Sequence, residues 1–195
     1  ARRRGRPSAA RRARPEHVDP AHHHDLRWGG IVNTPVRLGI VFVVALVIQL
    51  TVFVDVRIFG VAPELLALVA VVAAFFVGPE RGPVIAFVAG LLWDVYLPTP
   101  LGVSAVIFAV VAYVVATLNE GLFHDTRAQL VGVVAVGSAA SVIGYALLGA
   151  IVGEGGLISA DLIVIALVVG AFNAVLAPIA APIMAWALAA EVDRR

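Results

Sequence analysis

Cysteine and lysine are both absent from this chain of 195 residues, and there are only five histidines. Without thiols there can be no disulfide, no thiolate nucleophile and no thiolate metal ligand. Charge is scarce too: 14% of the residues are charged, where a soluble domain carries about a quarter. Neither HExxH nor GxSxG occurs. The nearest approach is Gly102-Val103-Ser104-Ala105, one residue away from the GxSG of intramembrane serine proteases. Its serine would need a histidine base, and the one histidine outside the N-terminal stretch, His124, falls on the opposite side of the membrane in the topology derived below. His22, His23 and His24 are consecutive and share no helical face, so a solvated tract is expected there rather than a metal site. The composition thus predicts no enzyme, no cofactor and no metal.

What the chain does have is apolar length. Hydrophobic residues make up 61% of it and the mean hydropathy is +0.99, which makes lipid the solvent for most of the sequence. A span needs about 20 mostly apolar residues, and six stretches approach this: 38–54, 61–77, 83–97, 100–118, 129–152 and 162–190. Pro63 suits the first turn of the second stretch, and Thr99-Pro100 reads as an N-cap followed by proline at the first helical position of the fourth. The third is short, so a tilted helix or one buried among its neighbours is expected. The expected fold is an all-α integral membrane protein, a six-helix transmembrane bundle over 38–190, with residues 191–195 as a C-terminal end.

Arginine supplies the orientation. Nine of the fourteen arginines fall in residues 1–37, a Pro/Ala/Arg-rich stretch that cannot bury enough surface to fold alone and is expected to be a disordered tail. With that tail cytoplasmic, Arg81, Arg127, Arg194 and Arg195 are inside as well, and Arg57 alone is outside. Both termini are then cytoplasmic, and Asp94 lies at the outer face. Because the tail runs directly into a span, anionic lipid is its expected partner and nucleic acid is not. It is not expected to be a cleaved leader, since no small-residue cleavage site follows the first apolar run.

Inside the spans the polar groups are amides and hydroxyls: Gln49, Ser138, Ser141, Tyr113, Tyr145 and Asn173. Ion-coupled transport needs ionisable residues at mid-membrane depth, and every Asp, Glu, Arg and His falls in a tail, a loop or the end of a span. The amides are read as cross-helix glue, with a neutral ligand site between helices as the alternative. Small residues recur at helical spacing: Gly137, Ser141 and Gly144, the GxxxG pair Gly149 and Gly153, and Gly170, Ala174 and Ala177. These serve packing within the bundle, contact with a membrane partner, or self-association. Pro178 and Pro182 predict a kink in the last helix.

The stretch 90–102, GLLWDVYLPTPLG, concentrates the remaining signals. Trp93 and Tyr96 suit an interfacial aromatic belt, Pro98 to Pro100 a rigid turn, and Gly102 the start of the next helix. Asp94 is placed to accept hydrogen bonds from the free N–H groups of that helix; direct contact with a partner is the other reading.

Taken in order, Gln49-Leu50-Thr51, Pro63-Glu64-Leu65-Leu66, GPERG from Gly78 to Gly82, Gly90-Leu91-Leu92-Trp93-Asp94, Pro100-Leu101-Gly102 and Tyr113 resemble the MreD family of rod shape-determining proteins. The most specific element is the GLL-x-D…P-L-G hairpin, and the match runs from about residue 38 to 118. The resemblance implies a non-enzymatic subunit of the bacterial cell-elongation complex in the cytoplasmic membrane. Its direct partner would be MreC, with a class B penicillin-binding protein and RodA in the same assembly and the MreB filament reached indirectly. Peptidoglycan synthesis and cell shape would be regulated through these contacts. The fold implied is similar to the six-helix substrate-binding subunits of energy-coupling-factor transporters, so capture of a vitamin-like small molecule is the alternative function.

Overall fold

The computed structural model describes residues 34–53, 63–97, 100–121, 127–154, 156 and 158–192. The expected disordered tail up to residue 33, Arg57 and His124 lie outside the described residues. Among those described, six helices and no strands occur: α1 Thr34–Thr51, α2 Leu65–Val77, α3 Gly82–Asp94, α4 Val103–Gly121, α5 Arg127–Ile151 and α6 Leu162–Val192. By length and composition α1, α5 and α6 can each cross a membrane, while α2, α3 and α4 are shorter apolar helices. Large apolar side chains stand exposed along the outer helices, including Val136, Leu167, Val175 and Ile179. A monomeric soluble protein does not tolerate that much contiguous apolar surface; this is the lipid boundary of a membrane protein.

The bundle is arranged around α2, which is apolar on every side, as a helix enclosed by others must be. Twelve of its 13 residues are buried, and it packs against all five other helices. The α3/α4 and α5/α6 hairpins flank it, and α1 joins chiefly through α6.

The helix bounds differ from the expected spans for identifiable reasons. α1 begins at Thr34, so Arg37 lies in its first turn rather than in a tail; Pro35 suits that turn. α2 begins at Leu65, not at 61, and Pro63 lies before it because the Pro63 carbonyl is taken by the Gln49 side chain. α4 begins at Val103 instead of 100, because Gly102 has a φ of +104° and ends the turn outside the helix; the expected cap Thr99 is outside the described residues. α2 and α3 have 13 residues each, about 20 Å of helix, well short of a hydrocarbon core of about 30 Å. α6 runs continuously through Pro178 and Pro182 for 31 residues, about 46 Å, more than an upright span requires.

Candidate functional site

Asp94 closes α3 and is 1% exposed. Its Oδ2 accepts the Gly102 N–H at 2.8 Å and the Ala105 N–H at 3.2 Å, and Oδ1 accepts the Ser104 N–H at 3.0 Å. The first N–H groups of a helix have no partner within the helix, and a carboxylate there also complements the helix dipole. One turn earlier, Gly90 brings the two helices into backbone contact. A Cβ on Gly90 would lie 2.4 Å from the Ala105 Cα, so any side chain at 90 would lift Asp94 away from the amides it accepts from. Gly90 opens the GLL-x-D pattern, but nothing in that pattern indicates that its absent Cβ sets the crossing.

Around this clamp the loop presents apolar surface. Trp93 is half-buried with its ring 5.8 Å from that of Tyr96, while Val95, Tyr96 and Leu101 are 76%, 56% and 70% exposed. Pro100 is exposed as well. Ser104 is buried and its Oγ has no hydrogen-bond partner.

A second polar seam lies at the α1–α2 junction. Gln49 donates its Nε2–H to the Pro63 carbonyl at 2.6 Å and accepts the Leu65 N–H at 2.8 Å on Oε1. It thereby caps the start of α2 from another helix. Asn173 on α6 donates its Nδ2 hydrogens to the Glu64 carbonyl at 3.0 Å and to the Ser138 hydroxyl of α5 at 2.9 Å. The Asn173 Oδ1 has no partner. At the other end of the bundle Asn119 of α4 donates to the Phe75 carbonyl and accepts from Gln129 of α5. That bridge was missed, since two amides near loop ends give no periodic signal.

The small residues divide by location. Gly137 faces Val71 and Val115, Gly144 faces Ile107, and Gly170 sits against the Ala135 carbonyl with room for no Cβ. Gly149 and Ala177 are buried and Ala174 is half-buried. Ser141 donates its hydroxyl to the Gly137 carbonyl of its own helix, rather than across helices. Gly153 does not form a helical GxxxG pair with Gly149. It has a φ of +106° and follows the end of α5, where Gly153 N–H reaches Ala150 O and Glu154 N–H reaches Gly149 O. That is the Schellman pattern, in which glycine accepts the left-handed conformation. Tyr113, expected to bond between helices, is 56% exposed on the outside of α4.

Chemically the arrangement fixes helix ends. The carboxylate beside Ser104, that of Asp94, is occupied by three backbone N–H groups, and no three His, Cys, Asp or Glu residues come together as metal ligands among the described residues. The family model described as rod shape-determining protein MreD matches residues 31–184. No curated protein and no solved structure matches the chain, so the likeness to energy-coupling-factor subunits rests on the family resemblance alone.

Proposed function

The chain belongs to the MreD family of rod shape-determining proteins, and from that premise we propose that it is a non-enzymatic subunit of the cell-elongation complex that binds MreC. Its arginine distribution supports a six-span topology with both ends inside, and the family supports the bacterial cytoplasmic membrane. The Asp94 hairpin then faces outward. The observation that carries the reading is the division of labour in that hairpin. The Asp94 carboxylate is fully engaged by three backbone N–H groups, whereas Tyr96, Val95 and Leu101 project from the loop. Asp94 therefore acts as a positioning residue, and the exposed side chains make the contact with MreC. An exposed tyrosine on a rigid support is a usual anchor of an interface, and Val95 and Leu101 flank Tyr96 as its apolar surround. The class B penicillin-binding protein and RodA are reached through MreC.

The test is copurification of MreC from detergent-solubilised membranes. Tyr96→Ala with Leu101→Asp is expected to abolish recovery of MreC at unchanged protein level and melting temperature. Equal recovery with the wild-type and doubly substituted chains would overturn the docking face. Recovery of a tightly bound vitamin-like molecule from the purified protein would favour the small-molecule capture function instead.

A further inference from the structure

We propose that the groove between α1, α2 and α6 holds one anionic glycerophospholipid, with an acyl chain along the groove and its phosphate at Arg37. The groove encloses about 420 Å³ and is lined by aliphatic and aromatic side chains alone. Its walls are open to the side: Ile40, Val44, Ile48, Ile179 and Ile183 are between 38% and 62% exposed. Along α1 the lining positions 41, 44 and 48 continue the helical stripe that starts at Arg37, so a cation caps one end of an otherwise apolar channel.

The setting of Arg37 is that of a headgroup site. Its guanidinium lies 5.1 Å from the centroid of the Trp186 ring, and Nη1 donates to the Trp186 carbonyl at 3.3 Å. Trp186 itself lines the groove, so the stacked pair joins the polar end to the apolar one. The Arg37 Nε is buried without a partner, which leaves the Nη groups of the guanidinium fork to meet phosphate oxygens. Arg37 also lies in the first turn of α1, where the helix dipole disfavours a cation and favours an anion. A phosphate there neutralises the guanidinium and suits the positive end of α1.

A partner helix fits the same groove less well. Helices in lipid associate through small residues that let backbones approach, and this lining is isoleucine, valine, leucine, phenylalanine and tryptophan, with alanine only at Ala45 and Ala180. A docking helix is about 10 Å across and would also have to bring an acid to Arg37. The site requires only that the protein resides in a membrane and does not depend on the MreC reading.

The experiment is native mass spectrometry of the full chain in detergent, titrated with phosphatidylglycerol or with phosphatidylcholine of the same acyl chains. The wild type is expected to retain one phosphatidylglycerol in preference to phosphatidylcholine. Arg37→Gln is expected to lower that preference about tenfold, the scale of one charge-assisted hydrogen bond. Arg37→Lys keeps a cation and is expected to retain most of it. Val44→Trp, which fills the groove from its exposed wall, is expected to remove both lipids without changing the melting temperature. Replacing Arg2, Arg3, Arg4, Arg6, Arg11, Arg12 and Arg14 with Gln is expected to leave the single adduct intact. The proposal is overturned if Arg37→Gln changes nothing while the tail substitution abolishes selectivity. It is equally overturned if Val44→Trp leaves the lipid adducts intact but prevents recovery of MreC, which would make the groove the seat of a helix. Loss of MreC binding through the Tyr96 face leaves the lipid result unaffected, so the two readings fail separately.

Discussion

Gly90 and Ala105 touch through their backbones, with no space between α3 and α4 for a single methyl group. Gly90→Ala is therefore expected to destabilise the protein by about 1–3 kcal/mol through overpacking, and to weaken the Asp94 hydrogen bonds with it. Gly132→Ala, where nothing lies within 4 Å of a built Cβ, is the control and should be neutral or stabilising by about 0.5–1 kcal/mol. Thermal unfolding in detergent separates the two.

Replacing Asp94 with Asn keeps one oxygen acceptor and turns an N–H donor toward backbone N–H groups that need an acceptor. The expected cost is about 1–3 kcal/mol, the range for leaving a buried donor unsatisfied. Amide hydrogen exchange at Gly102, Ser104 and Ala105 should accelerate, while exchange in α5 stays as in the wild type. Unchanged exchange at these three amides would show that the carboxylate does not hold the hairpin.

Gln49→Leu removes both hydrogen bonds at the start of α2 while keeping similar bulk. The Pro63 carbonyl and Leu65 N–H are then left without partners, at a cost of about 1–3 kcal/mol. Gln49→Glu, when ionised, aims a carboxylate oxygen at the Pro63 carbonyl and buries a charge, so a melting temperature at or below that of Gln49→Leu is expected.

The Asn173–Ser138 bond should register in a double-mutant cycle of Asn173→Ala and Ser138→Ala. The coupling expected is about 0.6–1.7 kcal/mol, the span measured for hydrogen bonds between helices in lipid. Zero coupling, read from unfolding in detergent, would mean that Asn173 acts through the Glu64 carbonyl alone.

Much of this arrangement was legible in the residues. Apolar run length located six helices, and the GLLWD…PLG spacing placed an acid beside a helix start. What was not legible depends on three-dimensional closeness. Pro63 reads as a first-turn proline until Gln49, 14 positions earlier, is found holding its carbonyl. Gly153 reads as half of a GxxxG pair, because the spacing is the same whether the second glycine is helical or, as here, left-handed past the helix end. Arg37 reads as the last arginine of the Pro/Ala/Arg-rich stretch, whereas α1 already begins at Thr34 and Arg37 meets Trp186 on α6, 149 positions away. Which face a small-residue stripe presents to a neighbour is likewise settled by helix rotation, and Gly137, Gly144 and Gly170 proved to be occupied inside the bundle.

The enclosure of α2 also bears on how the chain is made. A ribosome delivers α2 to the membrane long before α5 and α6, which cover it and supply Asn173 to the Glu64 carbonyl. α6 arrives last with the Asn173 amide, which needs partners in hydrocarbon, and the Glu64 carbonyl, already bonded to the Leu68 N–H within α2, offers its second lone pair. That bond registers the last helix against the second only once the whole bundle has been threaded.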